Sequence, residues 1–135
     1  MGGLAKSSVT LGFWDDDLDP ELVTELLDCE PTVGVRKGNT WVTSIGVEKI
    51  ALTGSWRLKV ERRMPGDIES QIEELLSQVT ADISRWNQLP QSANGRLFCG
   101  LFLEEANEGV SLSASIIRKV AERGLSLELD IYSKD

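Results

Sequence analysis

The run Asp15-Asp16-Asp17-Leu18-Asp19 places four carboxylates within five residues, the side-chain type that gathers calcium or magnesium. Counted as an EF-hand loop from Asp15, it puts Asp17 and Asp19 at the third and fifth ligand positions. The sixth position is then Pro20, where glycine is needed, and the twelfth is Leu26, where a bidentate glutamate is needed. The run is therefore read as a helix entry: Asp19 is the N-cap, Pro20 takes the first helical position, and the other acids sit near the positive helix end. A second group, Arg36-Lys37-Gly38, joins two cations to a glycine suited to positive φ, a composition that can receive a carboxylate or phosphate in a backbone nest. Neither GxxxxGK(S/T) nor GxGxxG occurs there, so nucleotide binding is unsupported, and a solvated turn explains the same residues.

The missing residue types limit the chemistry further. The chain has no histidine, which removes the Ser-His-Asp and Cys-His arrangements, the imidazole proton shuttle and His-dependent zinc sites. Cys29 and Cys99 lie far apart, without CxxC spacing and in apolar stretches, so they read as two reduced core thiols of a cytoplasmic protein. No catalytic residue, metal site or cofactor is assigned.

The 135 residues include 14 Lys or Arg against 22 Asp or Glu, a net charge of -8. That balance opposes binding to a phosphate backbone and favours a basic protein partner. No segment resembles a signal peptide, and no apolar run approaches the roughly 18 residues of a membrane span. One domain over residues 1–135 is expected, with 1–6 a flexible N-terminus left out of the fold.

Spacing places the elements that hold these groups. Val9, Leu11 and Phe13 alternate as a strand with one buried face. Leu22, Val23, Leu26 and Leu27 form the stripe of the first helix, which Pro31 stops. Residues 30–39 read as an ordered connector, and 40–52 as a short strand or irregular hairpin. Trp56, Leu58 and Val60 oppose Ser55, Arg57, Lys59 and Glu61 in a clearer strand. The spacing of Ile68, Ile72, Leu75, Leu76, Val79, Ile83 and Trp86 predicts one long helix capped by Asp67. Leu97, Cys99, Leu101 and Leu103, with Phe98 and Phe102 between them, predict a central strand apolar on both sides. A helix capped by Ser113 and closed by Gly124 leads to a last strand alternating Leu125, Leu127, Leu129 and Ile131 with polar residues.

The order β-α-β-β-α-β-α-β predicts an α+β fold: one mixed, mostly antiparallel sheet with its helices packed on one face. The other face is then open, carrying Ser8, Thr10, Arg57, Lys59, Phe98, Phe102, Glu128 and Asp130. Phe98 and Phe102 resemble the stacking aromatics of an RNA-binding sheet, but the net charge and lack of a basic stripe favour a dimer contact or a covering helix. Trp56 and Trp86 fit core stripes, whereas Trp14 and Trp41 border loops and can line a pocket or an interface.

Taken in order, Asp16-Asp17-Leu18-Asp19-Pro20-Glu21, Pro31 with Arg36-Lys37-Gly38, Gly54-Ser55-Trp56, Leu112-Ser113 and the segment from Leu125 to Tyr132 resemble a family of small bacterial proteins. That family is known only as a domain of unknown function, number 4279. The resemblance spans nearly the whole chain and departs from the family pattern between Gly38 and Gly54 and from Asn87 to Gly95. It implies one compact α+β domain with no established activity or catalytic residues. It also implies that Asp17, Asp19, Pro31, Arg36, Lys37, Gly38 and Trp56 gather near one end of the sheet.

Three functions remain from these readings. The first is a non-enzymatic module that binds a basic protein, with an immunity or antitoxin-like inhibitor as its concrete form. The second is a domain or modest enzyme that takes a small anion or divalent cation at Asp17, Asp19, Arg36, Lys37, Gly38 and Trp56. The third is a homodimer joined through Phe98, Phe102 and Trp41.

Overall fold

A computed structural model describes residues 4–133. Strand β1 (Lys6–Asp15) alternates a buried row, Ser7, Val9, Leu11 and Phe13, with an outward row. Helix α1 (Pro20–Leu27) begins where the Asp19 carboxylate accepts the Glu21 N–H, as the sequence predicts, and buries Val23, Leu26 and Leu27. It ends earlier than expected: Asp28 takes a left-handed conformation and turns the chain before Pro31 is reached.

The connector after it contains a strand that the sequence reading missed, β2 (Val33–Val35), too short to show a period. The stretch after that is a hairpin, β3 (Thr40–Val42) and β4 (Glu48–Ile50), a small sheet of its own turned at Gly46 with φ 83°. Strand β5 (Gly54–Lys59) follows and buries Trp56 and Leu58.

The long helix predicted from Ile68 to Trp86 is two helices, α2 (Ile68–Ser77) and α3 (Ile83–Trp86). The break has a local cause. Thr80 donates its N–H to Leu27 O at 2.8 Å and its carbonyl accepts the Trp86 indole N–H, also at 2.8 Å, while Asp82 caps a new start at Ser84. The apolar spacing survives the break because α3 still turns Trp86 inward, so periodicity alone cannot reveal it.

Strand β6 (Asn94–Phe102), helix α4 (Ala114–Glu122) and strand β7 (Ser126–Tyr132) complete the chain, with Ser113 capping α4 and Gly124 at φ 70° after it. The five-stranded sheet has the order β2-β5-β1-β6-β7. All its pairings are antiparallel except β6 with β7, which run parallel across the α4 crossover. The fold is thus α+β with a mixed, mostly antiparallel sheet, richer by two strands and one helix than the order read from sequence. The start is also ordered sooner than expected: Leu4 is buried and Ala5 donates to Phe102 O, whereas residues 1–3 lie outside the described part.

One apolar cluster joins the inner sheet row, Val9, Leu11, Phe13, Trp56, Leu58, Leu97, Cys99 and Leu101, to side chains of all four helices. The last strand departs from this pattern. Leu127, Leu129 and Ile131 share the inner face with Leu97, Cys99 and Leu101, yet stay 38%, 49% and 58% exposed. Helix α4 turns Ile116 and Val120 into the core and Ile117 outward, so its cover stops short of the sheet edge.

Candidate functional site

The acidic run and the basic loop do meet at one end of the sheet, where they neutralise each other. Arg36 reaches the Asp19 carboxylate at 2.8 Å and Lys37 reaches Asp16 at 3.2 Å. A hydrogen bond from Thr53, and then the Lys37 ammonium, hold the Asp16 carboxyl below its ordinary range. Asp15 accepts from Ser92 Oγ at 2.6 Å, and Asp17 stands exposed. Gly38 has φ 86°, and its N–H is taken by Ala51 O at 2.9 Å. These pairs are exposed and contribute little stability. Among the described residues, no three carboxylates or thiols converge as a cation site. Trp56 is wholly buried and donates its indole N–H to Thr24 Oγ1 at 3.0 Å, so it presents nothing at this corner.

The open face carries a different arrangement. Gly12 lies opposite Arg57 on β5 and Arg96 on β6, so both guanidinium groups emerge beside the centre of the sheet. Trp14, two residues on and on the same face, folds its indole back over Gly12, whose missing side chain leaves the room. Arg96 lies 4.2 Å from the Trp14 ring centroid and donates to both oxygens of Glu128 at 3.1 Å. Arg57 lies 4.6 Å from the ring of Trp41, which β3 brings back over the sheet, a contact worth about 1 kcal/mol. The Arg57 Nε is buried without an acceptor among the described residues, and burial pushes its guanidinium below the ordinary value. A buried donor left without a partner costs about 1–3 kcal/mol.

Phe98 is partly exposed on this face, whereas Phe102 is screened. Tyr132 stacks on Phe102 with centroids 4.5 Å apart, and Lys6 and Arg62 lie over its ring at 4.5 and 5.6 Å. The Tyr132 hydroxyl donates to Asp130, a bond that pushes the phenol above its ordinary value. Trp41 is therefore separated from Phe98 and Phe102: it belongs with Arg57 near the β2 edge, and they lie toward β7.

Sequence reasoning missed Arg57 as a feature of interest, since it read as one more outward residue of a strand. Its signal was the tryptophan at a loop border, Trp41, whose target is set by the fold. The edge β7 was also missed, because its alternation promises an inner row but not its cover.

Fold and surface together define a small α+β domain with a helix-covered sheet face, an open face of stacked arginine and indole groups, and one exposed apolar edge. The chain belongs to the family described as Domain of unknown function (DUF4279), whose profile matches residues 5–134. No curated protein matches it, and no solved structure does.

Proposed function

We propose that the protein is a non-enzymatic interaction module that pairs its edge strand β7 with an extended segment of a basic partner protein. One observation carries this reading: among the described residues β7 is a seven-residue strand with a neighbour on only one side, and its inner row is half exposed. Such an edge presents a row of free N–H and C=O groups, the template for adding a strand. Leu127, Leu129 and Ile131 lie on one side of it and Glu128 and Asp130 on the other. The matching segment alternates apolar residues with Lys or Arg.

A second copy of the chain matches less well. Antiparallel pairing of β7 with itself centred on Leu129 sets Glu128 against Asp130, and centring it on Glu128 or Asp130 sets that acid against itself. Like charges directly opposite destabilise a pair. The net charge of -8 steers a basic partner toward the surface and raises its association rate. An inhibitor of a basic enzyme, of the immunity or antitoxin kind, is one form this takes, and the two unpaired thiols suit a bacterial cytoplasm.

The test compares the wild type with Leu129→Lys/Ile131→Lys, both exposed positions, as immobilised baits in lysate from the source cells. The expected result is a stoichiometric basic protein held by the wild type at low salt, released at moderate salt and absent from the variant. Hydrogen exchange on the purified complex then slows at β7 amides. Equal retention by both baits, or protection confined to other elements, overturns the reading. A wild type that doubles its mass by sedimentation, where the variant does not, assigns the edge to a second copy.

A further inference from the structure

Four arginines contact carboxylates: Arg36 with Asp19, Arg63 with Glu74, Arg96 with Glu128 and Arg123 with Glu122. Among the described residues Arg62 and Arg118 have no such partner but stand exposed, and Arg85 donates to Glu25 O instead; Arg57 differs from all of these. It is half-buried, and among the described residues no carboxylate lies within ion-pair distance of it. One face of its guanidinium is occupied by Trp41, and its Nε, like those of Arg96 and Arg123, has no acceptor among the described residues.

The space in front of it is a cleft of about 250 Å³ between the open sheet face and the β3–β4 hairpin. Trp14 and Trp41 line it as aromatic walls, Val35 and Ser55 contribute from β2 and β5, and Lys49 adds a second cation. Backbone bonds between Gly38 and Ala51 and between Ala51 and Asn39 close the base of the hairpin, and the Trp41 ring against Arg57 brings it onto the sheet face.

We propose that this cleft binds a small organic oxyanion, a carboxylate or phosphate carried on a flat apolar body, with Arg57 receiving the charged head and the two indoles the body. The planar fork of a guanidinium already stacked on a ring offers its donor edge to two oxygens at once, which suits both head groups. Indole walls favour a planar body over an aliphatic chain of the same volume. The small size of the cleft and its position on the β2 side separate it from the β7 edge, so this site stands or falls without the interaction reading.

The probes are benzoate, phenyl phosphate, the neutral benzyl alcohol and inorganic sulfate, titrated into the full chain by calorimetry. The expected result is saturable binding of one equivalent of benzoate or phenyl phosphate, at least tenfold tighter than benzyl alcohol or sulfate. The tighter of the two names the head group. Arg57→Gln weakens that binding at least tenfold, Arg57→Lys weakens it less, and Trp41→Ala weakens it several-fold. The NMR signal of the Arg57 Nε–H in the wild type shifts on saturation, a readout independent of how well the variants fold. Absence of saturable binding by both aromatic anions overturns the proposal, as does binding that leaves the Arg57 signal and the Arg57→Gln affinity unchanged.

Discussion

The indole of Trp14 occupies the space above Gly12 that a β-carbon would fill. Glycine is required here for close approach and not for an unusual φ. Gly12→Ala forces the ring away from the sheet and from Arg96, and overpacking of this kind costs about 1–3 kcal/mol. Urea unfolding gives the loss, and the tryptophan emission moves to longer wavelength as Trp14 is released. An unchanged midpoint and spectrum would show that the ring has another place to lie.

Ser7 and Gln71 form a wholly buried polar pair that ties α2 to the first strand. The Ser7 hydroxyl donates to Gln71 Oε1 and accepts the Asp67 N–H at 2.8 Å, while Gln71 Nε2 donates to Ser7 O at 3.1 Å and Glu61 O at 2.9 Å. Ser7→Ala leaves both the Gln71 oxygen and the Asp67 N–H without that partner. A loss of about 1–3 kcal/mol in unfolding free energy is expected, with no change in the denaturant slope.

Asp67 gives the fold a measurable dependence on acid. Its carboxylate accepts from Ser70 Oγ at 2.7 Å and from the Ser70 N–H at 3.2 Å; these bonds, with a lesser contribution from Arg63, hold it below the ordinary range. The folded state therefore binds its proton more weakly than the unfolded chain. The stabilisation is complete above the unfolded value of about 4 and is lost as pH falls through the lower folded value. Asp67→Asn, measured by thermal unfolding between pH 2 and 7, flattens that part of the profile, and Asp67→Ala costs about 1 kcal/mol at neutral pH.

The two thiols differ in accessibility. Cys99 is buried against the helices, which pushes its thiol up to about 11, whereas Cys29 is only partly covered. Burial, and then the charges of Glu30 and Asp28, raise Cys29 as well. A thiol reagent at pH 7.5 is expected to label Cys29 slowly and Cys99 only on unfolding. Equal labelling of both under native conditions would show that the sheet opens locally at β6.

The sequence makes the inner row of each long strand legible, because burial on one face imposes a period of two on Val9, Leu11 and Phe13 and on Leu97, Cys99 and Leu101. Helix starts are legible for the same local reason: Asp19, Asp67 and Ser113 cap where their side chains can reach the next free N–H. Asp82 with Ser84 carries the same signature, overridden in reading by the stronger apolar stripe across it. What stays hidden depends on partners distant in sequence. Val33 to Val35 is a strand only because β5 lies beside it, and Arg57 meets Trp41 only because the hairpin folds back. The Arg36–Asp19 and Lys37–Asp16 contacts follow from two loops meeting at one end of the sheet, which spacing suggests but cannot fix.

The central place of β1 governs how this chain is assembled on a ribosome. It is the first strand of the domain to be made, and its neighbours β5 and β6 lie far downstream. Until Phe102 has left the exit tunnel, one flank of β1 is without its native strand, and until Lys59 has left, both are. Closing such distant pairs is slow. The nascent chain therefore carries the stretch Val9 to Phe13 unprotected for most of its synthesis, a natural point of engagement for a chaperone that grips extended apolar segments.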